Sequence, residues 1–249
     1  PPHIVKGMWD VLRHLGFKGG RVFEGSAGVG GMLTLMPSDM LKNSSIRAVE
    51  KDSLTAKILK ALHPDADVFS GGIEEVNAAP SSVDVAITNV PFVSGVHPVD
   101  KRNTDITRLN LDLHDFAIAK NVRLLAPGGI GVFMTTSLTL DKGNKLKEWL
   151  NTNGEADVLA AFRFNNETFA GAPVTTDVIV IRKRDKGMVS PHAVRVLDNH
   201  VERVVSYVDE KTREEKPLQV SYNNYFHEHP EFMGGRMFAG TEKGDTFRP

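Results

Sequence analysis

Short β-rich runs alternate with helical patterns from Gly20 to about Arg184, and this alternation constrains the fold more than any other feature of the chain. A strand followed by a helix and another strand is the repeating unit of a parallel sheet covered by helices. The predicted strands are RVFEG, IRAVE, DVFSG, VDVAITN, IGVFMTT, DVLAAFRF and TTDVIVIRKR. The predicted helices are GGMLTLMPSDML, SLTAKILKALH, LDLHDFAIAKNVRLLA and KGNKLKEWLNTN. The sequence therefore predicts an α/β fold with helices on both faces of a sheet.

The last two predicted strands are joined differently from the others. The segment between them, NNETFAGAPV, is polar and rich in glycine and proline, so it is a poor candidate for a crossover helix. Strands joined without a crossover pair antiparallel. We therefore expect a seven-stranded, mostly parallel sheet with one antiparallel strand at its end.

The chain changes character after Lys186. With 249 residues, of which 41% are hydrophobic, it can form one substantial core, which we assign to residues 1–186. Residues 187–221 are predicted to form a polar hairpin around the charged run DEKTREEK, and the remainder is predicted to be loop-like. We interpret residues 187–249 as an extension that links this domain to a further module of a longer chain.

The composition limits the environment and the partners. There is no run of 18 apolar residues and no secretion leader, so we expect a soluble, cytoplasmic protein with no membrane contact. The chain contains no cysteine, which fits a reducing compartment. A net charge of −1 argues against a protein that grips nucleic acid unaided. It is compatible with a catalytic module, monomeric as this fragment, that borrows its grip from a neighbouring domain.

A run of small residues follows the first predicted strand. Small residues at the carboxyl edge of a parallel sheet allow the backbone to approach a ligand closely. A tight turn is the simpler interpretation, and a nicotinamide nucleotide site is disfavoured because Leu33 stands where its motif requires glycine. A phosphate-cradling loop is also disfavoured, since no Gly-Lys-Ser/Thr follows. The candidate ligand-binding residues of this loop are Glu24, Gly25, Ser26, Ala27, Gly28 and Gly30.

An acidic residue, Glu50, ends the second predicted strand about twenty positions after Gly28. A carboxylate at this position can accept hydrogen bonds from both hydroxyls of a ribose. We add the adjoining Lys51 to the candidate site, together with Gly72 and Ile73, which follow the third strand and could contact an adenine ring. The pattern predicts an adenosine-bearing ligand without a pyrophosphate, and S-adenosylmethionine is such a ligand.

The fourth predicted strand ends in NVPF, residues 89–92, at the same edge of the sheet. The amino group of a nucleobase is a poor nucleophile because its lone pair is delocalised into the ring. The Asn89 side-chain oxygen and the Val90 carbonyl could each accept one amino hydrogen, and Pro91 would hold Val90 extended. Phe92 offers a face on which an extruded base could stack. We therefore identify Asn89, Val90, Pro91 and Phe92 as candidate catalytic residues.

These motifs resemble those of a known family. FEGSAGVG resembles the E-P-S-A-G-x-G loop, and NVPF the N-P-P-F or N-P-P-Y motif, of the DNA adenine N6 group of class I S-adenosylmethionine-dependent methyltransferases. Longer segments, including LHDFAIAKNVRLLAPGGIGVFMTT and FNNETFAGAPVTTDVIVIRKR, resemble the methylase domain of large helicase-methylase fusions carried by mobile elements. The resemblance implies a Rossmann-like fold, S-adenosylmethionine as cofactor, DNA as partner and helicase-like domains elsewhere in a longer chain, in the context of restriction and modification.

The same resemblance assigns roles to individual residues. It implies that Gly28 and Gly30 line the methionine part of the cofactor, that Glu50 binds its ribose, with Asn89 also near the cofactor, and that residues 89–92 bind the target adenine. Two departures stand out. Gly25 replaces the proline of the loop, which we expect to loosen it. Val90 replaces the first proline of the catalytic motif, where only the carbonyl group is needed.

Alternative functions remain open at this level. Related motifs serve methylation of RNA bases and, with tyrosine in the last position, of a protein glutamine amide, which Phe92 disfavours. A non-catalytic module that positions a fused partner is a further alternative.

Other conspicuous residues carry weaker hypotheses. We expect no metal site at His227 and His229, and we expect His114 and Asp115 to be helix-start residues and Asp52 to cap a helix. The basic residues Lys101, Arg102 and Arg108 either contact phosphates or are ordinary solvated charges. Trp9, Phe116 and Phe133 are expected in the core.

Overall fold

A computed structural model describes residues 1–142, 145–165, 168–169, 174–185, 188, 200–208, 212–234, 236–238 and 246–248. The helices are α1 (Pro2–His14), α2 (Gly31–Thr34), α3 (Ser38–Lys42), α4 (Ser53–Leu62), α5 (Thr104–Arg108), α6 (Leu113–Leu124), α7 (Leu138–Asp141), α8 (Lys145–Asn151) and α9 (Asn224–Glu228). The strands are β1 (Arg21–Glu24), β2 (Ser45–Glu50), β3 (Asp67–Ser70), β4 (Val83–Asn89), β5 (Leu125–Thr136), β6 (Ala156–Phe164), β7 (Thr176–Lys183), β8 (His200–Val208), β9 (Glu215–Asn223), β10 (Met233–Gly234), β11 (Arg236–Phe238) and β12 (Thr246–Arg248). No helix in these ranges is both long and apolar enough to cross a bilayer.

The main sheet has the strand order β10-β6-β7-β5-β4-β1-β2-β3. Strands β1 to β5 pair parallel, and β7 pairs antiparallel with both β5 and β6. The α/β class, the seven predicted strands and the single reversed strand are confirmed. The expected position of the reversed strand is wrong, because β7 inserts between β5 and β6 instead of ending the sheet. The two-residue strand β10 pairs parallel with β6 and adds an eighth strand.

Helices cover both faces of this sheet. On one face, α1 and the helices after β1 pack on β1, β4, β5 and β7, with Trp9 and Leu12 fully buried. On the other face, α6 and α8 pack on the same strands, with Phe116 and Phe133 fully buried. Trp9, Phe116 and Phe133 are therefore core residues, as predicted. The sheet is thus supported by apolar packing on both faces.

The first predicted helix, residues 30–41, is interrupted. Helix α2 ends at Thr34, and α3 begins only at Ser38, after Pro37. Proline disfavours the α conformation in the residue before it and has no N–H to donate, so a continuous helix cannot pass through this position. The prediction of one helix here is wrong.

The segment after β9 packs against the main sheet. Asn224–Glu228 form α9, and the side chains of Val220, Tyr222, Tyr225 and Phe226 are buried in the same cluster as α6. The expectation of a loop-like ending is therefore wrong for residues 223–234. Strands β8 and β9 pair antiparallel, flanking the charged run. The domain boundary at residue 186 itself lies outside the described residues and stays a prediction.

A buried arginine fastens this segment to the sheet. The Arg163 guanidinium is fully buried and donates to Asp177 at 2.8 Å and to Asp141 at 2.9 Å. Its charge also lies over the ring of Phe226, 4.2 Å from the centroid. The Asp141 carboxylate accepts the backbone N–H of Asn223 at 2.9 Å. Burying one arginine with two carboxylates and an aromatic face makes residues 223–226 part of the domain core.

Candidate functional site

A cleft of about 490 Å³ opens at the carboxyl ends of β1, β2, β3 and β4. Open α/β sheets bind ligands at this edge, and clefts of about 300–1,000 Å³ are typical of small-molecule sites. The residues that line it are Gly25, Ser26, Gly28, Val49, Glu50, Lys51, Gly71, Gly72, Ile73, Glu74, Asn89, Val90, Pro91, Phe92, Val96, Pro98 and Leu113. Most of the predicted site residues thus lie around one cavity.

Three predicted residues do not line this cleft. Ala27 is buried beneath it, and its N–H donates to the carbonyl of Val49 at 2.8 Å. Gly30 lies at the start of α2 with φ of +90°, and a side chain there would meet His63 at 2.5 Å. Glu24 is buried at the end of β1. These three residues thus support the glycine loop from the side that faces away from the cleft.

The glycine loop is fastened to the end of β2 by Glu50. One oxygen of the Glu50 carboxylate accepts the Gly28 N–H at 2.8 Å, and the other accepts the Asp52 N–H at 2.8 Å. A carboxylate oxygen has a second acceptor site, so the group can still accept two hydroxyl donors. Gly28 has φ of +55°, and the space beside its α-carbon is open. The backbone therefore turns sharply where it borders the cleft.

Asp52 itself serves as a helix cap. Its side chain accepts the N–H and the hydroxyl of Thr55 at 2.8 and 2.7 Å, at the start of α4. The predicted capping role is confirmed.

Gly25 is held tightly, which corrects the expectation of a loosened loop. A β-carbon at this position would lie 2.8 Å from the Asn121 side-chain nitrogen and 2.8 Å from the end of Ile73. Both of these neighbours are buried, so a larger residue would have to displace them. The glycine is needed because α6 and the β3 side of the cleft converge on this point.

Glu24 is a buried acid with an unsatisfied oxygen. Its side chain is 1% exposed, and its Oε2 atom has no hydrogen-bond partner among the described residues. Burial, and then the charge of nearby Glu50, raises the pKa of Glu24 well above its ordinary value. The group thus favours the protonated form, in which it can donate a hydrogen bond.

The β3 side of the cleft combines an apolar surface with an acidic residue. The side chain of Ile73 is buried in the cleft wall, and the N–H of Gly72 is taken by Glu75 at 2.7 Å. Glu74 is half-buried and lies 3.9 Å from the Lys51 ammonium group. The sequence reasoning missed Glu74, although it directly follows the predicted Ile73.

The catalytic candidates form the β4 side of the cleft. The Val90 N–H donates to Met134 on β5 at 3.0 Å, so the chain leaves β4 in a fixed direction. The exposed Asn89 side chain has no hydrogen-bond partner among the described residues, and the same holds for the Val90 carbonyl. Phe92 is 37% exposed. Two free acceptors and an aromatic face thus lie together at the cleft.

The loop that follows completes this side. Val96, Pro98 and Leu113 line the cleft next to Phe92 and were not predicted. The Asp112 side chain accepts the Gly95 N–H at 3.0 Å, which ties the loop to the start of α6. Val96 and Pro98 lie in a loop, which carries no periodic signal in a sequence, and Leu113 begins α6, so only their position after the NVPF motif pointed to them.

The structure also places the residues that carried weaker hypotheses. His114 and Asp115 lie in the first turn of α6, where Asp115 accepts the Thr139 hydroxyl at 2.9 Å, which confirms their helix-start position. The His229 ring packs against Tyr225 and Phe232. Within the described ranges, no three His, Asp or Glu side chains are grouped as a metal site would require.

Comparison with known proteins supports this fold assignment. No family model matches the chain. The chain is 25% identical, over 194 residues, to the Defense against restriction protein B of Escherichia phage P1; the match covers 76% of this chain and only 8% of that protein.

Many solved structures resemble the fold, and two of them illustrate the similarity. One is a Listeria monocytogenes protein described as a class I S-adenosylmethionine-dependent methyltransferase, with a TM-score of 0.62 and 16% identity over 78% of this chain and 62% of that one. The other is a type I restriction-modification methyltransferase subunit from Streptococcus thermophilus, with a TM-score of 0.60 and 16% identity over 75% of this chain and 45% of that one. The chain therefore has the fold of the class I S-adenosylmethionine-dependent methyltransferases.

Proposed function

We propose that the protein transfers a methyl group from S-adenosylmethionine to the N6 amino group of adenine in DNA. The observation that carries the proposal is the pair of free acceptors, the Asn89 side chain and the Val90 carbonyl, beside a cleft whose opposite side presents Glu50. The fold neighbours named above include a class I methyltransferase and a restriction-modification methyltransferase.

The residues of the cleft fit S-adenosylmethionine. Glu50 is held by two N–H groups and keeps acceptor capacity for the two ribose hydroxyls. Ile73 offers an apolar surface for the adenine ring, and Glu74 offers an acceptor next to it. Open space beside Gly28 leaves room for the methionine part. The cofactor would bring a methyl group on a positively charged sulfur, which is an electrophile.

The chain's own residues would activate the acceptor. The Asn89 side-chain oxygen and the Val90 carbonyl each accept one hydrogen of the adenine amino group, which localises the nitrogen lone pair toward the methyl group. Pro91 restricts Val90 to extended backbone and so fixes the direction of that carbonyl. Phe92 stacks on the base after its extrusion from the helix. The amino proton becomes acidic only after the nitrogen is methylated, so no base has to act first.

DNA is the preferred substrate for two reasons. The NVPF motif ends in phenylalanine, whereas the resemblance associates glutamine methylation with tyrosine in that place. One fold neighbour is a restriction-modification methyltransferase subunit, and the phage relative carries a name that refers to restriction. The chain matches only 8% of that relative, which supports our proposal that it functions within a longer protein. The proposal that the further domains are helicase-like rests on the sequence resemblance.

The decisive experiment measures the transfer of labelled methyl from S-adenosylmethionine to DNA, RNA and protein in parallel, with nucleoside analysis of the products. We expect label in N6-methyladenine from DNA. Asn89→Ala should lower the rate by about 100- to 1,000-fold, the typical cost of losing one group that stabilises a transition state. Label in RNA or in glutamine instead would refute the proposal that DNA adenine is the substrate.

A matched control is available in Asn77→Ala. Asn77 is also exposed, but it borders a different depression, at the amino ends of the strands. This variant should retain the wild-type rate. Wild-type protein that binds S-adenosylmethionine but labels no acceptor would instead support the non-catalytic alternative.

A further inference from the structure

We propose that the basic loop, which comprises residues 100–103 and the short helix α5 (Thr104–Arg108), binds DNA phosphates next to the target base through Lys101, Arg102 and Arg108. This inference deepens the proposed function and rests on it for the location of the base. The three side chains are exposed. The question left open by the sequence was whether they are ordinary solvated charges.

Their lack of carboxylate partners separates them from most other arginines. Neither Arg102 nor Arg108 forms an ion pair with any described residue, and Lys101 forms none either. Between residues 1 and 184, these arginines lie within 4 Å of a carboxylate: Arg13, Arg21, Arg47, Arg123, Arg163 and Arg184. The charge of the basic loop is therefore available to a partner, unlike the charge of those residues.

Hydrogen bonds of a buried aspartate hold the backbone of the basic loop folded back on itself. Asp100 is fully buried, and one of its carboxylate oxygens accepts the N–H groups of Arg102 at 2.8 Å and Asn103 at 3.2 Å. Its own N–H and carbonyl both bond to the Thr107 hydroxyl at 2.9 Å. Lys101 and Arg102 therefore lie beside Thr107 and its neighbour Arg108. This arrangement produces a local cluster of positive charge on a chain whose net charge is −1.

The carboxylates within the loop do not neutralise this cluster. The other oxygen of Asp100 accepts the Lys120 ammonium group at 2.5 Å, and both of these side chains are completely buried. The carboxylate of Asp105 pairs with Arg123 and also accepts the Trp149 indole N–H at 3.2 Å. Both carboxylates thus have partners on other elements, Asp100 in the interior and Asp105 in a partly exposed pair with Arg123, while the three cations face solvent.

The cluster lies within reach of the strand that carries the target. Pro98 lines the cleft, and Lys101 follows it by three residues, which is at most about 11 Å of chain at 3.8 Å per residue. Phosphates on one DNA strand are spaced by about 3.4 Å along the axis. A base stacked on Phe92 would therefore bring neighbouring phosphates to the basic loop.

The chemistry of the cluster favours phosphates. The guanidinium group presents a planar fork of donors that matches phosphate oxygens, and Arg102 and Arg108 provide two such forks. The contact would be independent of base sequence, because phosphates position a strand without specifying it. The loop would thus hold the strand while residues 89–92 hold the base.

The test is the salt dependence of binding to a fluorescent DNA duplex that contains adenine, measured by anisotropy between about 50 and 200 mM salt. Each lost phosphate contact reduces the slope of log K against log salt by about 0.9. We expect a reduction of about 0.9 for Arg102→Gln and about 2.7 for the triple variant Lys101→Gln, Arg102→Gln, Arg108→Gln.

Arg182→Gln is the matched control. Arg182 is also exposed and forms no ion pair within the described ranges, but it pairs with Ile130 near the opposite edge of the sheet. The control should keep the wild-type slope. Equal slopes for the wild type and the triple variant would overturn the inference, as would undetectable duplex binding by the wild type at about 50 mM salt. A change confined to an RNA of the same sequence would overturn the assignment to DNA.

The two proposals fail in different ways. If the wild type and the triple variant methylate DNA adenine and bind DNA with the same slope, the methyltransferase stands and the basic loop is refuted. If the triple variant has a smaller salt-dependence slope than the wild type but the wild type methylates no adenine, the role of the basic loop stands and the proposed reaction is refuted. Urea unfolding of each variant verifies its folding, and surface changes of this kind should shift stability by less than about 0.5 kcal/mol.

Discussion

Replacement of Asp100 by asparagine tests the buried ion pair that holds the basic loop. Asp100 Oδ1 accepts two backbone N–H groups, while Oδ2 accepts the Asn103 amide at 2.7 Å and the Lys120 ammonium at 2.5 Å. Asparagine has one acceptor oxygen, so in either orientation its NH₂ group must face two donors. With the NH₂ group at the Oδ2 position, Lys120 would be a buried charge with only the Val76 carbonyl, at 3.2 Å, as a partner. With the NH₂ group at the Oδ1 position, the backbone N–H groups of Arg102 and Asn103 would lose their acceptor.

The magnitude follows from burial. Both side chains have no exposed surface, and breaking a buried pair by removing one partner typically costs 3–5 kcal/mol, so we expect Asp100→Asn to lower the free energy of unfolding by about that amount. In a Lys120→Met background the ammonium is gone, and the Asn103 amide can turn its oxygen toward the new NH₂ group. The same substitution should then cost about 1–2 kcal/mol, roughly the value of one neutral hydrogen bond.

The assay is a double-mutant cycle by urea unfolding of the wild type, the two single variants and the double variant. The expected coupling energy is about 1–4 kcal/mol, above the roughly 0.5 kcal/mol within which independent sites add. Additive costs would refute the reasoning, because they would mean that Lys120 does not depend on the Asp100 charge. Burial opposes the charged form of Asp100, yet the hydrogen bonds from Lys120 and Asn103 hold its pKa below the ordinary value.

Two further predictions concern the acids of the cleft. Glu50→Gln should weaken S-adenosylmethionine binding by roughly 10- to 150-fold, the equivalent of about 1.5–3 kcal/mol for a lost charged hydrogen bond, as measured by calorimetry; unchanged affinity would contradict the ribose assignment. The folded chain holds the Glu24 proton more tightly than the unfolded chain does, because burial and then Glu50 raise its pKa, so native Glu24 increasingly costs stability as the pH rises from 4.5 toward the raised value. Glu24→Gln removes this cost. In that pH window the free energy of unfolding of the variant should therefore rise relative to that of the wild type by up to about 1.4 kcal/mol per pH unit. Parallel plots of unfolding free energy against pH for the two proteins would contradict this prediction.

Much of the fold could be predicted because its signals are local. Strand β4 has the bounds of the predicted run VDVAITN, and the cleft collects residues that follow β1, β2, β3 and β4, as the parallel topology requires. The position of β7 could not be predicted from local patterns, because it depends on the pairing of β7 with both β5 and β6. The helix break at Pro37 was readable from the sequence and was overlooked.

The supports of the site were harder to find. Lys120 lies in an apolar helical run, FAIAKNV, and a charged residue there signals a buried partner without identifying it. That partner, Asp100, lies 20 residues earlier in a loop with no periodicity. Gly25 was interpreted from the residue it replaces, whereas its role depends on how closely Asn121 and Ile73 approach it. Contacts between elements, as opposed to patterns within them, decide such roles.

Net charge and local charge lead to different conclusions about the proposed DNA partner. A net charge of −1 indicates no general attraction to phosphates, but pairing of most arginines with carboxylates leaves the basic loop as a separate, local source of positive charge. Three phosphate contacts give a salt slope of about −2.7, or about 40-fold between 50 and 200 mM salt, whereas proteins with six to ten contacts lose about 10³–10⁵. We therefore expect this chain to position a strand that another part of a longer protein holds. Fusing or adding a separate DNA-binding domain should then lower the DNA concentration needed for half-maximal methylation and leave the maximal rate unchanged, since the base and the methyl group meet in this domain alone.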